Sequence, residues 1–429
     1  MGAGASIVGI LVAFRARVVA LVGLGGYFLL VAALGGHETG WRRIGVPAET
    51  PRFDDLRNLT SSWECTRRGI AVLPVNPCDF HRRPADFPQI WLLPSHFGLG
   101  LGDTFALGLA QGSLFLLAAL FVLPVGASLW SGLVYLLFLC SPAVMLGVER
   151  ENPDLILFPI VLLAVLVATR RARGESIGGL LVLVAAVLKL YPIFALGFLV
   201  RRATRSALRV AVVVAGGFVV YALATIHYIH KMLSAIPAAD TFAYGVRRVS
   251  EWFSLAAAAT IHTLEGYRAW DAGLVLVAIG IAWFVARRLE LRPALPADPD
   301  ATRDLDLFWA GACVYVGSYA IFRSNDYRLI FLLLTVPQLV RWASDRHLLA
   351  FVSLPAMIVV LWLNEWTGMP GVHVVLDWWN RTTAIGNSSF PLPLVVIAQF
   401  VLFVVFLVWL LATVSWPYAG RGTDMVPAE

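Results

Sequence analysis

The chain is predicted to be an all-α, polytopic transmembrane protein of about 10–12 membrane helices, including a short re-entrant pair. Three observations lead there. Of its 429 residues 59% are apolar and only 14% charged, and mean hydropathy is +0.77, outside the range of soluble globular domains. Apolar runs of about 17–25 residues recur between arginines, the length that crosses a hydrocarbon core. The two-residue alternation of a membrane barrel is absent, and in lipid only helices or closed barrels satisfy the backbone. The chain therefore reads as one integral membrane domain, 1–429, rather than a soluble enzyme on an anchor. Its net charge of +6 needs no nucleic-acid partner, because arginines at the ends of membrane helices produce it.

The first apolar stretch, Val18 to Gly35, carries no Ala-x-Ala-like cleavage site and reads as an uncleaved span. A long first extracytoplasmic loop follows over 36–102. Within it Asp55 to Arg68 is expected to form an interfacial helix, and Pro84 to Leu93 to dip back toward the bilayer with Trp91 at headgroup level. Spans at about 104–123 and 128–147 are joined by a Pro124-Val125-Gly126 turn. The polar run Glu149 to Asp154 is then expected to emerge from the membrane before a span at 155–169. Residues 177–200 have arginine-rich flanks at both ends yet suffice for one crossing, so Pro192 is read as the bend between two short helices of a hairpin. Later spans are expected at about 209–226, 270–287, 306–322, 329–340, 347–363 and 392–414, with a half-helix near 253–264. A cytoplasmic linker (288–305) and a late extracytoplasmic loop (365–391) complete the chain.

Arginine clusters at Arg15/Arg17, Arg170/Arg171, Arg201/Arg202, Arg287/Arg288 and Arg341/Arg346 fall on one side if the spans alternate. Counted over short loops, this places the long loop outside the cytoplasm. Cys65 and Cys78 in that loop then meet an oxidising compartment and are expected to form a disulfide, whereas Cys140 and Cys313 lie in apolar runs and read as core.

Four polar clusters stand on the extracytoplasmic side: Asp54-Asp55, the Glu149–Asp154 turn, Lys189 with Tyr191, and Ser324 to Arg328 preceded by Arg323. Each has an ordinary reading: loop acids are solvated, Asp154 caps a helix, Lys189 snorkels, and Trp63, Trp91 and His96 sit at the membrane interface. Lysine and proline at membrane depth, however, persist only facing protein or a wet cavity. Brought together, the clusters offer a carboxylate as general base and several cations for a departing phosphate, chemistry suited to moving a sugar off a lipid phosphate.

An acid after the first span (Asp55) with Gly69 fourteen residues on, the Glu149-Arg150-x-Asn152-x-Asp154 turn, Leu188-Lys189-Leu190-Tyr191-Pro192 and the late Ser324-x-Asp326-Tyr327-Arg328 turn together resemble glycosyltransferase family 87. These are polytopic bacterial enzymes of the GT-C type that include polyprenyl-phosphate-mannose-dependent mannosyltransferases. The resemblance runs over about residues 15–340 and is strongest at 188–192. It implies an inverting transfer of mannose or another hexose or pentose from a polyprenyl-phosphate donor to a glycan or lipid acceptor. It places the site on the extracytoplasmic face of a bacterial inner membrane.

Carried over residue by residue, Asp55 is the base, with Asp54 the alternative. Lys189, Arg328, Arg323 and Arg150 bind the donor phosphate, and Asn152, Asp154, Tyr191, Asp326 and His96 support them. Many members have histidine where this chain has Tyr327-Arg328, and Phe87-Pro88-Gln89 stands where the family has Tyr-Pro-Pro. Arginine cannot shuttle a proton but binds phosphate in bidentate fashion. No obligatory metal or other cofactor is expected, although a divalent ion would find carboxylates nearby. The competing readings are a transporter or flippase of lipid-linked saccharides and a scaffold without catalysis.

Overall fold

The computed structural model describes residues 7–170, 173–235, 243–256, 264–288, 299–321, 324–363 and 393–414. Apart from the first loop, these form an apolar helical bundle. The first helix, α1 (Ile7–Ala33), is followed by the short α2 (Gly36–Arg43) and by α3 (Asp54–Arg67) in the loop. Next come α4 (Thr104–Leu120), α5 (Leu129–Leu139), α6 (Pro142–Arg150), α7 (Asp154–Arg170) and α8 (Gly174–Leu188). They continue with α9 (Gly197–Arg202), α10 (Arg205–Ala224), α11 (Ile226–Ala235), α12 (Val246–Ala256) and α13 (Leu264–Arg288). The last are α14 (Pro299–Ala320), α15 (Val336–Ser344), α16 (Leu348–Ile358) and α17 (Pro393–Thr413).

Five helices among the described residues are long and apolar enough to cross a membrane, and six if α5 and α6, bent by 59°, count as one. The chain is thus an all-α, multi-pass membrane protein. The other expected spans are short or broken: the one at 329–340 is a 3-10 stretch, Asp326–Thr335, running into α15, and that at 347–363 ends in a wide turn, Val359–Leu363.

Several expectations need correction. The linker at 288–305 is partly helix, because α14 begins at Pro299 and buries Arg303 and Asp304. The half-helix near 253–264 lies earlier, as α12, and residues 257–263 fall outside the described ones. The late loop 365–391 and Arg323 also lie outside the described residues. The Glu149–Asp154 turn does not emerge into solvent: Glu149, Arg150, Glu151, Asn152 and Asp154 are all buried.

The hairpin of 177–200 is present. Helix α8 stops at Leu188, Lys189 is extended (φ −157°, ψ 119°), and a 3-10 turn, Tyr191–Leu196, leads back through α9. Pro192 explains the break, having no N–H to give and clashing with the preceding turn. Arg202 on the returning arm lies 3.7 Å from Glu175 at the start of α8, so both arms begin and end at one side.

That side is an arginine-rich end of the bundle. Arg201 and Arg202 both clasp the buried Asp306 of α14, and Arg341 bonds Asp304 at 2.9 Å. Arg303 reaches the carbonyl of Phe121, the C-cap of α4, and Arg303 and Arg17 donate to the carbonyls of Val122 (2.8 Å) and Leu123 (2.7 Å) just beyond it. The seventeen residues of α7, about 25 Å at 1.5 Å each, separate this end from the loop end.

At the loop end, α3 lays Leu56, Leu59 and Trp63 against Phe87 and Trp91. The Trp63 indole donates to the Trp91 carbonyl, and the Trp91 indole donates to the Leu188 carbonyl at 2.7 Å. Tyr221 of α10 satisfies the neighbouring Val187 carbonyl at 3.1 Å. The last carbonyls of α8, orphaned by the break, are thus taken up by side chains that tie α3 to the residue before Lys189. Trp63 and Trp91 are therefore internal struts, not the interfacial anchors expected. Beyond α3, Gly69 turns the chain with φ 72° while Ile70 N–H returns to the Cys65 carbonyl (2.9 Å), which explains a glycine one helix length after Asp55. Cys65 and Cys78 form the expected disulfide, packed with Val72, Leu73, Ala85 and Met232 of α11.

Replacing both Cys65 and Cys78 by serine should lower stability by roughly 3 kcal/mol, read as a drop in the thermal midpoint of the purified protein. Trp91→Phe keeps an aromatic ring but strands the Leu188 carbonyl. It should destabilise by about 1–2 kcal/mol in the same measurement, with faster amide exchange confined to the end of α8.

Candidate functional site

The site is built around Asn152. Helix α6 ends at Arg150, Glu151 takes a left-handed conformation (φ 51°), and Asn152 N–H returns to the Gly147 carbonyl at 3.0 Å. Pro153 prevents continuation, and α7 starts at Asp154, whose N–H is capped by Asn152 Oδ1 at 3.0 Å. Gln111 of α4 donates to the carbonyls of Glu151 and Asn152 at 2.8 and 2.9 Å, so the backbone of this buried turn is satisfied at these two carbonyls.

The Asn152 side chain joins two of the expected clusters. Its Nδ2 donates to Asp55 Oδ2 at 2.7 Å, and its Oδ1 accepts from Lys189 Nζ at 3.2 Å. The orientation of the amide is forced: ammonium and backbone N–H only donate, and an ionised carboxylate only accepts. Lys189 Nζ also bonds Asp154 Oδ1 at 2.6 Å. Asp154, at the N-terminus of α7, is therefore more than a helix cap.

Beside Lys189 lies a second cation. The Arg328 guanidinium stands 4.6 Å over the Tyr191 ring and donates to Ser324 Oγ at 2.8 Å, while its Nε is buried without a hydrogen-bond partner. Ser324 and Asn325 (β2) pair with Ala243 and Tyr244 (β1), which fixes the approach to Arg328. Asp326 is fully buried in the first turn that follows. Arg150 occupies a different place. Its buried guanidinium is engaged by Tyr327 Oη (3.0 Å) and by Glu49, so it stands behind Tyr327 instead of facing open space. His96 is exposed at the end of the stretch Gln89–Phe97 and makes no hydrogen bond or ion pair with the cluster among the described residues. The four polar clusters thus converge through Asp55, Asn152, Asp154, Lys189, Tyr191 and Arg328; His96 stays apart.

The adjacent acids differ sharply. Asp54 is 1% exposed and clamped by Arg83, with Nη2 at 3.1 Å from Oδ1, and His81 Nε2 lies 3.5 Å away. Burial pushes its carboxyl up to about 6 against the pull of Arg83. Asp55 keeps one oxygen on Asn152 and lies 3.8 Å from Arg83 Nη1, with 12% of its side chain open. Glu49, Asp54 and His81 offer ligand atoms within 4.8 Å of one another, the one grouping among the described residues with that spacing. A cation there would compete with Arg83 for Asp54.

Two groups escape a reading by motif. Arg83 is one arginine among several in a polar loop, and only folding brings it to Asp54 and Asp79. Asp86 lies between the buried Ala85 and Phe87, so the extended chain turns it the other way, toward Asp55 and Lys189. It is exposed by area yet set deep among protein atoms, as a residue on a cavity wall is, and desolvation followed by the Asp55 charge pushes it up to about 6. Alternation of Ala85-Asp86-Phe87 was the available signal.

The family model of glycosyltransferase family 87 matches residues 91–303, about half of the chain. No curated protein and no solved structure matches. The matched stretch contains Asn152, Asp154, Lys189 and Tyr191, and folding adds Asp55 and Arg328 from outside it. The chain belongs to glycosyltransferase family 87: it is a multi-pass membrane glycosyltransferase.

Proposed function

We propose that the protein transfers a sugar, mannose or another hexose or pentose, with inversion from a polyprenyl-phosphate donor to a hydroxyl of a glycan or lipid acceptor. On this reading the chain is one integral domain of a bacterial inner membrane, and its loop end faces the extracytoplasmic side. Asp55 accepts the acceptor hydroxyl proton as the oxygen attacks C1 from the face opposite the phosphate. The C1–O bond to phosphate breaks, and the lipid phosphate leaves with the electron pair. Lys189 and Arg328 hold the charge that develops on that phosphate, and Arg150 positions Tyr327 next to Arg328. No obligatory metal is needed on this scheme, since two cations already face the phosphate.

The observation that carries the reading is the single amide that binds Asp55 with one end and Lys189 with the other. It sets a base and a phosphate-binding cation one side chain apart, the separation an in-line displacement requires. Below Lys189, toward the arginine-rich end, Val161, Val165, Val182, Ala185 and Phe198 are fully buried. That packing speaks for a site open on one side, which suits transfer better than passage across the bilayer.

In a reconstituted assay with a polyprenyl-phosphate sugar, Asp55→Asn should lower turnover by about 10²–10⁴ with an unchanged thermal midpoint. Lys189→Met should lower it by about 10²–10³. Full activity of Asp55→Asn would remove the base from this scheme. The pH response of donor binding follows from Asp86. Its pKa is raised to about 6, so below that pH it is neutral, and as pH rises through 6 it ionises beside Lys189 and opposes the donor phosphate. The donor KM should therefore increase between about pH 5 and 7, and Asp86→Asn should flatten that profile.

A further inference from the structure

We propose that the cleft between the starts of α3 and α4 binds the phosphate headgroup of an anionic membrane lipid, at a place separate from the transfer site. The cleft encloses about 250 Å³ and is lined by Arg52, Phe53, Arg57, Gly102, Thr104 and Phe105, among others. The side chains of Arg52 and Arg57 make no hydrogen bond or ion pair among the described residues, whereas those of Arg42, Arg67, Arg68 and Arg83 in the same loop all do.

Two guanidiniums at one cleft call for an anion with several oxygens, and arginine's planar fork suits phosphate. The walls say what the anion is attached to. Phe53 and Phe105 stack at 5.9 Å. Phe105 is 58% exposed, and Leu109, one turn further along the same face of α4, is 52% exposed. The segment Leu101–Leu120 is apolar enough to cross a membrane, so this ridge descends from the cleft along the lipid-facing side. A charged head over an apolar tail complements such a surface; a free anion would leave the ridge unused.

Local geometry keeps the cleft apart from Asp55. Arg57 is two residues beyond Asp55, about 200° around the helix. Thr60, on the Arg57 face, bonds Thr104 Oγ1 at 2.7 Å, which turns that face to α4 while Asp55 turns to Asn152. Phe53 is held in a left-handed conformation (φ 59°), and its ring occupies room that a Cβ on Gly108 would fill, 2.6 Å away. A bulky residue kept at positive φ is strained, and here the strain aims the ring into the cleft.

The test uses the purified full-length chain in phosphatidylcholine nanodiscs containing a minor fraction of phosphatidylglycerol, with retained lipids counted by native mass spectrometry. The wild type should hold one phosphatidylglycerol in preference to phosphatidylcholine. The double variant Arg52→Gln/Arg57→Gln should weaken that preference roughly thirtyfold, from about 1 kcal/mol per arginine near a surface. Gly102→Glu, at a position where a Cβ meets nothing within 4 Å, should repel the lipid without disturbing the fold. An unchanged preference in both variants would overturn the proposal, as would displacement of the lipid by inorganic phosphate alone. Lys189→Met should retain the lipid fully; loss there would place it in the transfer site and overturn the separate location. None of these readouts involves turnover, so they stand apart from the transfer reading.

Discussion

An ammonium group held within a helical bundle is the constraint from which the loop end of this structure follows. Lys189 is only 18% exposed and must be compensated where it sits, because an unpaired charge in low dielectric is prohibitive. Asp154 supplies the charge and Asn152 a second acceptor, and both are available because Pro153 starts a new helix between them and the preceding one. Lys189 can reach them because Pro192 stops α8 from continuing. Each break leaves carbonyls without helical partners, and Trp91 and Tyr221 take those up. Two prolines, two caps and one ion pair therefore form a single solution: none of them is stable in this environment without the others.

The opposite end of the bundle answers the same problem differently. Arg201 and Arg202 meet two carboxylates, Asp306 and Glu175, so that cluster is balanced, and Arg303 donates to Asp304 and to carbonyls just beyond α4. At the loop end Asp86 forms no ion pair among the described residues, and Asp55 keeps 12% of its side chain open. An end closed by arginine–carboxylate pairs and another with open carboxylates fit the proposal that transfer takes place at the second end.

Much of this was legible in the sequence, and the reasons are specific. Apolar runs between arginines gave most helix positions, because hydrocarbon length and the backbone's need for internal bonds admit few alternatives. The break at Leu188-Lys189-Leu190-Tyr191-Pro192 was readable because lysine and proline together cannot be placed facing lipid. The helix following Asp54 was also readable, since Gly69 ends it. What was not legible depends on distance in space. The Glu149–Asp154 turn is polar and reads as solvated, yet Gln111 and Asp55 from elsewhere bury it. Trp63 and Trp91 look like interfacial aromatics because composition does not show that two indoles relay to one carbonyl. Arg83 and Asp86 could not be ranked above neighbouring loop charges without knowing which face each would turn.

The division between Asp54 and Asp55 shows why a neighbouring pair need not share a role. Adjacent helical residues point about 100° apart, so one carboxylate meets Arg83 and His81 while the other meets Asn152. Asp54, 1% exposed and held by two guanidinium nitrogens of Arg83, has its oxygens occupied and lies out of reach of an acceptor hydroxyl. Asp55, hydrogen-bonded by the Asn152 amide, has its other oxygen 3.8 Å from Arg83 Nη1 and keeps 12% of its side chain open. Arg83 thereby occupies Asp54 and leaves Asp55 available for the proposed base role, a division that a Glu or Gln at position 83 could not reproduce.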